Sequence, residues 1–136
     1  MTQKSELTTY FGDIHNHNVI GYAQGTLRRS YEIARNHLDF YAFTPHAYWP
    51  DIEPFVDPQS RGAEDKWING FAVTKERWPE VVAIAKEFDD PGTFAVLLGY
   101  ETHSGQVGDH HIIFPDLDGE LMLFDDHEEW KRFARK

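Results

Sequence analysis

Two histidines stand two residues apart in Asp13-Ile14-His15-Asn16-His17. Imidazole nitrogens bind borderline cations such as zinc. On extended backbone, residues i and i+2 point the same way, so this pair can chelate one ion. Asp13 is placed to hold a ring N–H of either histidine from behind. The spacing alone decides little: eight histidines in 136 residues give roughly 0.5 such pairs by chance. The positions of His46, Glu101 and His111 add more weight. An imidazole-rich site with one carboxylate suits Zn, Mn or Fe and disfavours Ca or Mg. With one more carboxylate it can hold two or three ions, Glu101 bridging a pair. A cluster of that kind activates water at neutral pH and clamps an anionic substrate. His110 and His111 cannot both face one side of a strand, and His111 is preferred because Ile-Ile-Phe follows it directly. His103 can be a substrate contact in a loop; His37 and His127 read as surface residues.

The candidates matter because of the elements expected beneath them. Residues 10–14 form a short apolar run ahead of the histidine pair. Gly21 and Gly25 bracket a loop, and Thr26 can N-cap a helix. Leu27, Tyr31, Ala34 and Leu38 then share one helical face. The run 40–44 is apolar without alternation, as in a strand buried on both faces, and Pro45 ends it. Pro50, Pro54 and Pro58 make the next stretch irregular. Its aromatics Trp49, Phe55, Trp67 and Phe71 either pack it down or line a pocket. A helix is expected over 75–88, with Pro79 in its first turn. Residues 93–100 read as the best buried strand, with Glu101 just past it, and 111–114 as another. Residues 116–129 carry seven acids and no base, and 130–134 begin a helix.

Alternating strands and helices imply right-handed crossovers and a largely parallel α/β sheet. Sites in such sheets form beyond the carboxyl ends of the strands. His15, His46 and Glu101 each follow a strand end, so three strands deliver ligand chemistry to one edge. The long connection 50–74 is expected to cover that same end.

Composition narrows the class of function. The 136 residues allow one domain or part of one, with 40% hydrophobic and 15% aromatic content that excludes a disordered chain. The absence of cysteine excludes disulfides, thiol catalysis and Cys-type zinc sites. The net charge of −10 falls wholly on residues 50–136, which opposes binding to a nucleic-acid backbone. No apolar run approaches the ~20 residues that span a bilayer. The first ten residues lack a secretory apolar stretch, so a cytoplasmic location is the default expectation.

The segments YFGDIHNHN, LDFYAFTPH, GYE and GDHHIIFP, in that order, resemble the PHP (polymerase and histidinol phosphatase) superfamily, in particular a PHP-like branch of bacterial proteins. The likeness covers about residues 10–50 and 78–115. It implies a distorted (β/α)7 barrel, a cluster of up to three divalent ions and phosphoesterase chemistry on a small phosphate ester. It assigns metal ligation to His15, His17, His46, Glu101 and His111, with Glu101 as the bridging, catalytic carboxylate. The chain departs from the pattern twice. Pro45 stands where the family usually has aspartate, and the family's later ligands would lie beyond Lys136. The chain therefore resembles the amino-terminal half of such a domain, a single unit incomplete at its C-terminus. The alternative is a catalytically incomplete module that binds metal or a small ligand. An open sheet edge would also invite pairing with a second copy.

If Glu101 is a ligand, Glu101→Gln abolishes metal-dependent stabilisation, worth about 2.7 kcal/mol at a hundredfold excess over Kd. His37→Ala and His127→Ala retain it. Melting temperatures with and without Mn²⁺ or Zn²⁺ check this, and equal stabilisation of Glu101→Gln and the parent chain would remove Glu101 from the ligand set.

Overall fold

Residues 7–52, 59, 61–123, 128, 129 and 132 are described by a computed structural model. In chain order the elements are β1 (Gly12–Asp13), α1 (Leu27–Arg35), β2 (Phe40–Phe43), β3 (His46–Tyr48), α2 (Arg61–Phe88), β4 (Ala95–Thr102) and β5 (His110–Ile113). They form an α/β unit around an open, mainly parallel sheet. β1 pairs with β2, and β2 with β4, both parallel; β3 is also parallel to β4. β5 runs antiparallel on β4.

The apolar run expected at 40–44 folds as β2 and continues after a break. Pro45 has no N–H to give a ladder, but its carbonyl accepts from Glu101 N at 2.9 Å. The strand then resumes as β3, where an irregular excursion was expected. Ala95, Glu101 and His103 donate their N–H groups to the carbonyls of Asp39, Pro45 and Tyr48. β2 and β3 thus lie in succession along one edge of β4, and β5 takes the other. β4 starts two residues later than expected, so Glu101 lies inside the strand. With β5 as its antiparallel member, the sheet is mainly parallel, as expected. Residues 103–109 are too few for a parallel crossover, which takes a dozen or more. β1 is shorter than the expected 10–14, and Tyr10 and Phe11 ahead of it are exposed.

Thr26 caps α1 as expected, its hydroxyl accepting from Arg29 N. Leu27, Tyr31 and Ala34 are buried. α2 starts at Arg61, fourteen residues before the expected position. Its buried face is Gly70, Thr74, Trp78, Val81, Ala85 and Phe88, one continuous helical stripe whose upstream members are small or polar. An apolar count misses them. Pro79 therefore lies inside the helix rather than in its first turn. It forgoes a bond to the carbonyl of Lys75; both residues are exposed, where water serves instead.

Both helices cover the same face of the sheet. The Arg28 guanidinium donates to both Glu87 oxygens at 2.7 and 2.6 Å across the two helices. Tyr31 packs on Tyr41 and Phe88, and Trp78 on Tyr100. Tyr41, Phe43, Val96, Leu98 and Tyr100 point into this core. By strand alternation, Gly99 and Glu101 point to the other face. The expected helix over 130–134 falls almost wholly outside the described residues. Among those residues, no helix is long and apolar enough to cross a membrane.

Gly70 fixes how α2 meets the loop before α1. A Cβ there would lie 2.8 Å from the Gly21 carbonyl oxygen and 2.6 Å from the Tyr22 ring. Alanine normally gains about 1 kcal/mol over glycine inside a helix. Here the obstacle is backbone, and overpacking typically costs about 1–3 kcal/mol. Gly70→Ala is therefore expected to lower the melting temperature despite its better helix propensity, and a rise would show that α2 and the loop separate freely.

Candidate metal centre

The histidine pair sits on a loop held at its middle residue. Asn16 exchanges backbone bonds with β2's end: Thr44 N donates to Asn16 O at 3.1 Å, and Asn16 N to Thr44 Oγ1 at 3.2 Å. The buried Tyr41 hydroxyl donates to Asn16 Oδ1 at 2.5 Å. With Asn16 pinned, its two neighbours are aimed rather than free. Asp13 contributes differently from the expectation. It accepts from His15 N at 2.9 Å and Asn16 Nδ2 at 3.3 Å, so it shapes the loop backbone and holds no imidazole ring.

His15, His17, His46, Glu101 and His111 all converge at the carboxyl end of the parallel strands. Glu101 is 2% exposed at their centre. Its Oε1 lies 3.7 Å from His15 Nε2, and its Oε2 lies 2.8 Å from His46 Nδ1 and 3.4 Å from His17 Nε2. His111 is the register partner of Glu101 across β4 and β5, and its ring lies 4.4 Å from that of His15. Three groups of possible ligand atoms result, all sharing Glu101: with His15 and His111, with His17 and His46, and with His103 and Asp109, the atoms of each group within 4.8 Å of one another. The H-x-H pair therefore divides between two groups, where one shared ion was expected. The preference for His111 agrees with the register; His110 Nδ1 instead lies 2.9 Å from the Gly108 carbonyl oxygen.

The donor set suits a divalent cation. Among the described residues, Glu101 Oε2, His17 Nδ1 and His111 Nε2 are buried without a hydrogen-bond partner. His46 Nδ1 lies between two partners, 2.8 Å from Glu101 Oε2 and 2.6 Å from His103 Nε2. Buried polar atoms ordinarily have partners, and a cation held at Glu101 would give Oε2 one. Burial tends to raise the Glu101 carboxyl, yet the surrounding His46, His103 and His17 imidazoles outweigh it and hold it below the usual carboxylate range. Burial, reinforced by His46, lowers His17 to about 4. Burial and the neighbouring His15 lower His111. Both rings are thus neutral at pH 7, the form that ligates metal.

His103 belongs to the centre more closely than the sequence suggested. It is 7% exposed and lies 3.9 Å from Glu101 Oε2 through Nε2 and 3.0 Å from Asp109 Oδ1 through Nδ1. Its i+2 spacing from Glu101 on a strand was the available signal. Asp109 had none, because a loop return brings it in.

Aromatic rings wall one side. Tyr22 stacks on His46 at 3.9 Å, and His17 on its opposite side at 4.0 Å, so the His46 ring is sandwiched. Trp49 and Phe71 flank His103 at 5.5 and 6.0 Å, and Trp67 leans on Trp49 at 5.4 Å. The described parts of the 50–74 connection thus cover the ligand end, as expected, but largely as helix. Phe55 lies outside the described residues. Asp51 ties down the following loop by accepting from Ser104 Oγ, Gly105 N and Gln106 N. His37 is exposed, as expected; His127 lies outside the described residues. A larger cavity of about 470 Å³ opens at the opposite end of the strands beside Tyr10, Phe40 and Phe94. Its carboxylate, Asp39, accepts from Phe11 N at 2.7 Å.

The lowered His17 value sets a pH dependence for metal-free protein. In the unfolded chain a histidine takes up its proton near 6.5, whereas folded His17 does so near 4. Between these values the unfolded state binds more protons, so stability falls as pH falls from about 6.5 toward 4. His111 acts in the same direction. Melting temperatures of chelator-treated protein should drop across pH 6.5–4.5, and His17→Gln should flatten that slope; an unchanged slope would place His17 in open solvent.

No protein-family model matches this chain, and no curated protein or solved structure matches it.

Proposed function

We propose that the chain carries the ligand set of a metal-dependent hydrolase acting on a phosphate ester, within the amino-terminal part of a distorted (β/α)7 barrel of the PHP kind. The observation that carries this reading is the buried Glu101 carboxylate, whose two oxygens face separate groups of imidazole nitrogens. Divalent Zn, Mn or Fe held there supplies positive charge to an anionic substrate and lowers the pKa of a water. His15 and His111 with Oε1 would form one position, and His17 and His46 with Oε2 the other. Glu101 brings the negative charge that brings two cations close together. The sandwich of Tyr22 and His17 fixes the His46 ring plane. Trp49, Trp67 and Phe71 shield the His103 side from water. The acidic surface gives phosphates no general attraction, so the attraction must be local to the centre. A small molecule fits this better than a nucleic acid, and the open sheet edges suit pairing with a second copy.

One feature favours a second reading, a metal- or ligand-binding module without turnover. Pro45, at the position where the resembled family carries aspartate, has no side-chain ligand to offer.

Elemental analysis of protein purified without chelator, with p-nitrophenyl phosphate hydrolysis assayed under added Mn²⁺ or Zn²⁺, tests both readings. The first expects bound metal and hydrolysis. It also expects His15→Ala to reduce hydrolysis by on the order of a hundredfold or more, the scale of losing a stabiliser of transition-state charge. Metal without hydrolysis leaves the binding module; no metal overturns both.

A further inference from the structure

The side of Glu101 that faces Oε2 is richer in nitrogen than the ligand set read from the sequence. Three imidazole nitrogens surround that one oxygen: His46 Nδ1 at 2.8 Å, His17 Nε2 at 3.4 Å and His103 Nε2 at 3.9 Å. Ligands on one ion with bonds of ~2.0–2.2 Å lie roughly 3–3.5 Å apart. The triangle of Glu101 Oε2, His46 Nδ1 and His103 Nε2 has edges of 2.8, 2.6 and 3.9 Å, two just under that spacing and one just over it. His103 is also held from behind. The Asp109 carboxylate lies 3.0 Å from its Nδ1, and a negative charge there favours the proton on Nδ1. The lone pair then sits on Nε2, which lies 2.6 Å from His46 Nδ1, 3.5 Å from the Tyr22 hydroxyl and 3.9 Å from Glu101 Oε2. A carboxylate behind an imidazole that faces a metal is the recurring means of fixing ring and tautomer. Its backbone is fixed as well, since His103 N donates to Tyr48 O at 2.8 Å.

We propose that His103 is a further ligand of the cation held at Glu101 Oε2, with Asp109 as its positioning residue; the proposal rests on the metal reading above. The consequence is an unequal pair of positions. The Oε2 position draws nitrogens from His46 and His103 beside one oxygen of Glu101, with His17 Nε2 3.4 Å from that oxygen, a nitrogen-rich set that suits zinc. The Oε1 position has His15, His111 and Glu101, three protein ligands that keep a place open for water or substrate, the pattern of a catalytic zinc site. The first ion organises the centre and the second meets the substrate.

The test is a titration of chelator-stripped protein with Co²⁺, followed by its visible d–d absorption and by equilibrium dialysis. The parent should bind two ions of different affinity, the tighter one giving the stronger, tetrahedral-type absorption. His103→Gln should weaken the tighter site by on the order of tenfold to a hundredfold and alter its spectrum, leaving the weaker site in place. Asp109 is 53% exposed in its side chain, so Asp109→Asn can be made without disturbing the core. It should shift the same spectrum and weaken the same site by about tenfold. Parent-like affinities and spectra in Asp109→Asn and in folded His103→Gln overturn the proposal while the two-cation reading stands. If the parent binds no Co²⁺, the metal reading itself fails and this assignment with it.

Discussion

A carboxylate that is 2% exposed cannot remain charged unless its surroundings replace the water it lost. Glu101 meets that constraint with imidazoles alone. His15, His17, His46 and His103 lie within 2.8–3.9 Å of its two oxygens, while no hydrogen bond reaches Oε2 among the described residues. An unpaired buried carboxylate is costly, and removing one member of a buried charged group is costlier still. The arrangement is coherent if positive charge is shared among the rings or brought by cations.

The fold serves this one carboxylate. β4 carries Glu101 between two edges, with β2 and β3 along one and β5 along the other. The interruption at Pro45 leaves the backbone ladder nearly intact, because the proline carbonyl still accepts from Glu101 N. His46 then follows at once, in register with Glu101. The antiparallel return of β5 sets His111 opposite the same residue. Local pairing thus delivers two imidazoles, and the loop pinned through Asn16 delivers two more.

The two faces of the sheet are divided between stability and chemistry. Tyr41, Phe43, Val96, Leu98 and Tyr100 enter the core under α1 and α2, and burial of large apolar side chains of this kind contributes roughly 1.5–3 kcal/mol each. Glu101 takes the alternate direction. The early start of α2 joins the two functions. Its downstream half packs Trp78, Val81 and Ala85 into the core, while its upstream half sets Trp67 and Phe71 beside the ligand cluster.

Strand identity and ligand chemistry were legible in the sequence because both are local. An unbroken apolar run such as 93–100 has few other uses, and histidines with a glutamate just past such runs point to a group that could hold a metal ion. Thr26, with its apolar stripe at 27, 31, 34 and 38, marks a helix start for the same reason. What the sequence could not settle involves partners distant along the chain. The β3 ladder needs β4 to complete it across Pro45. The upstream half of α2 hides its buried face behind Gly70 and Thr74, which register as non-apolar until the loop at Gly21 packs on them. The division of His15 and His17 between two oxygens, the role of Asp13 as a loop former, and the arrival of Asp109 behind His103 depend on side-chain directions. Those are decided only when strands nearly sixty residues apart in sequence fix one another's register.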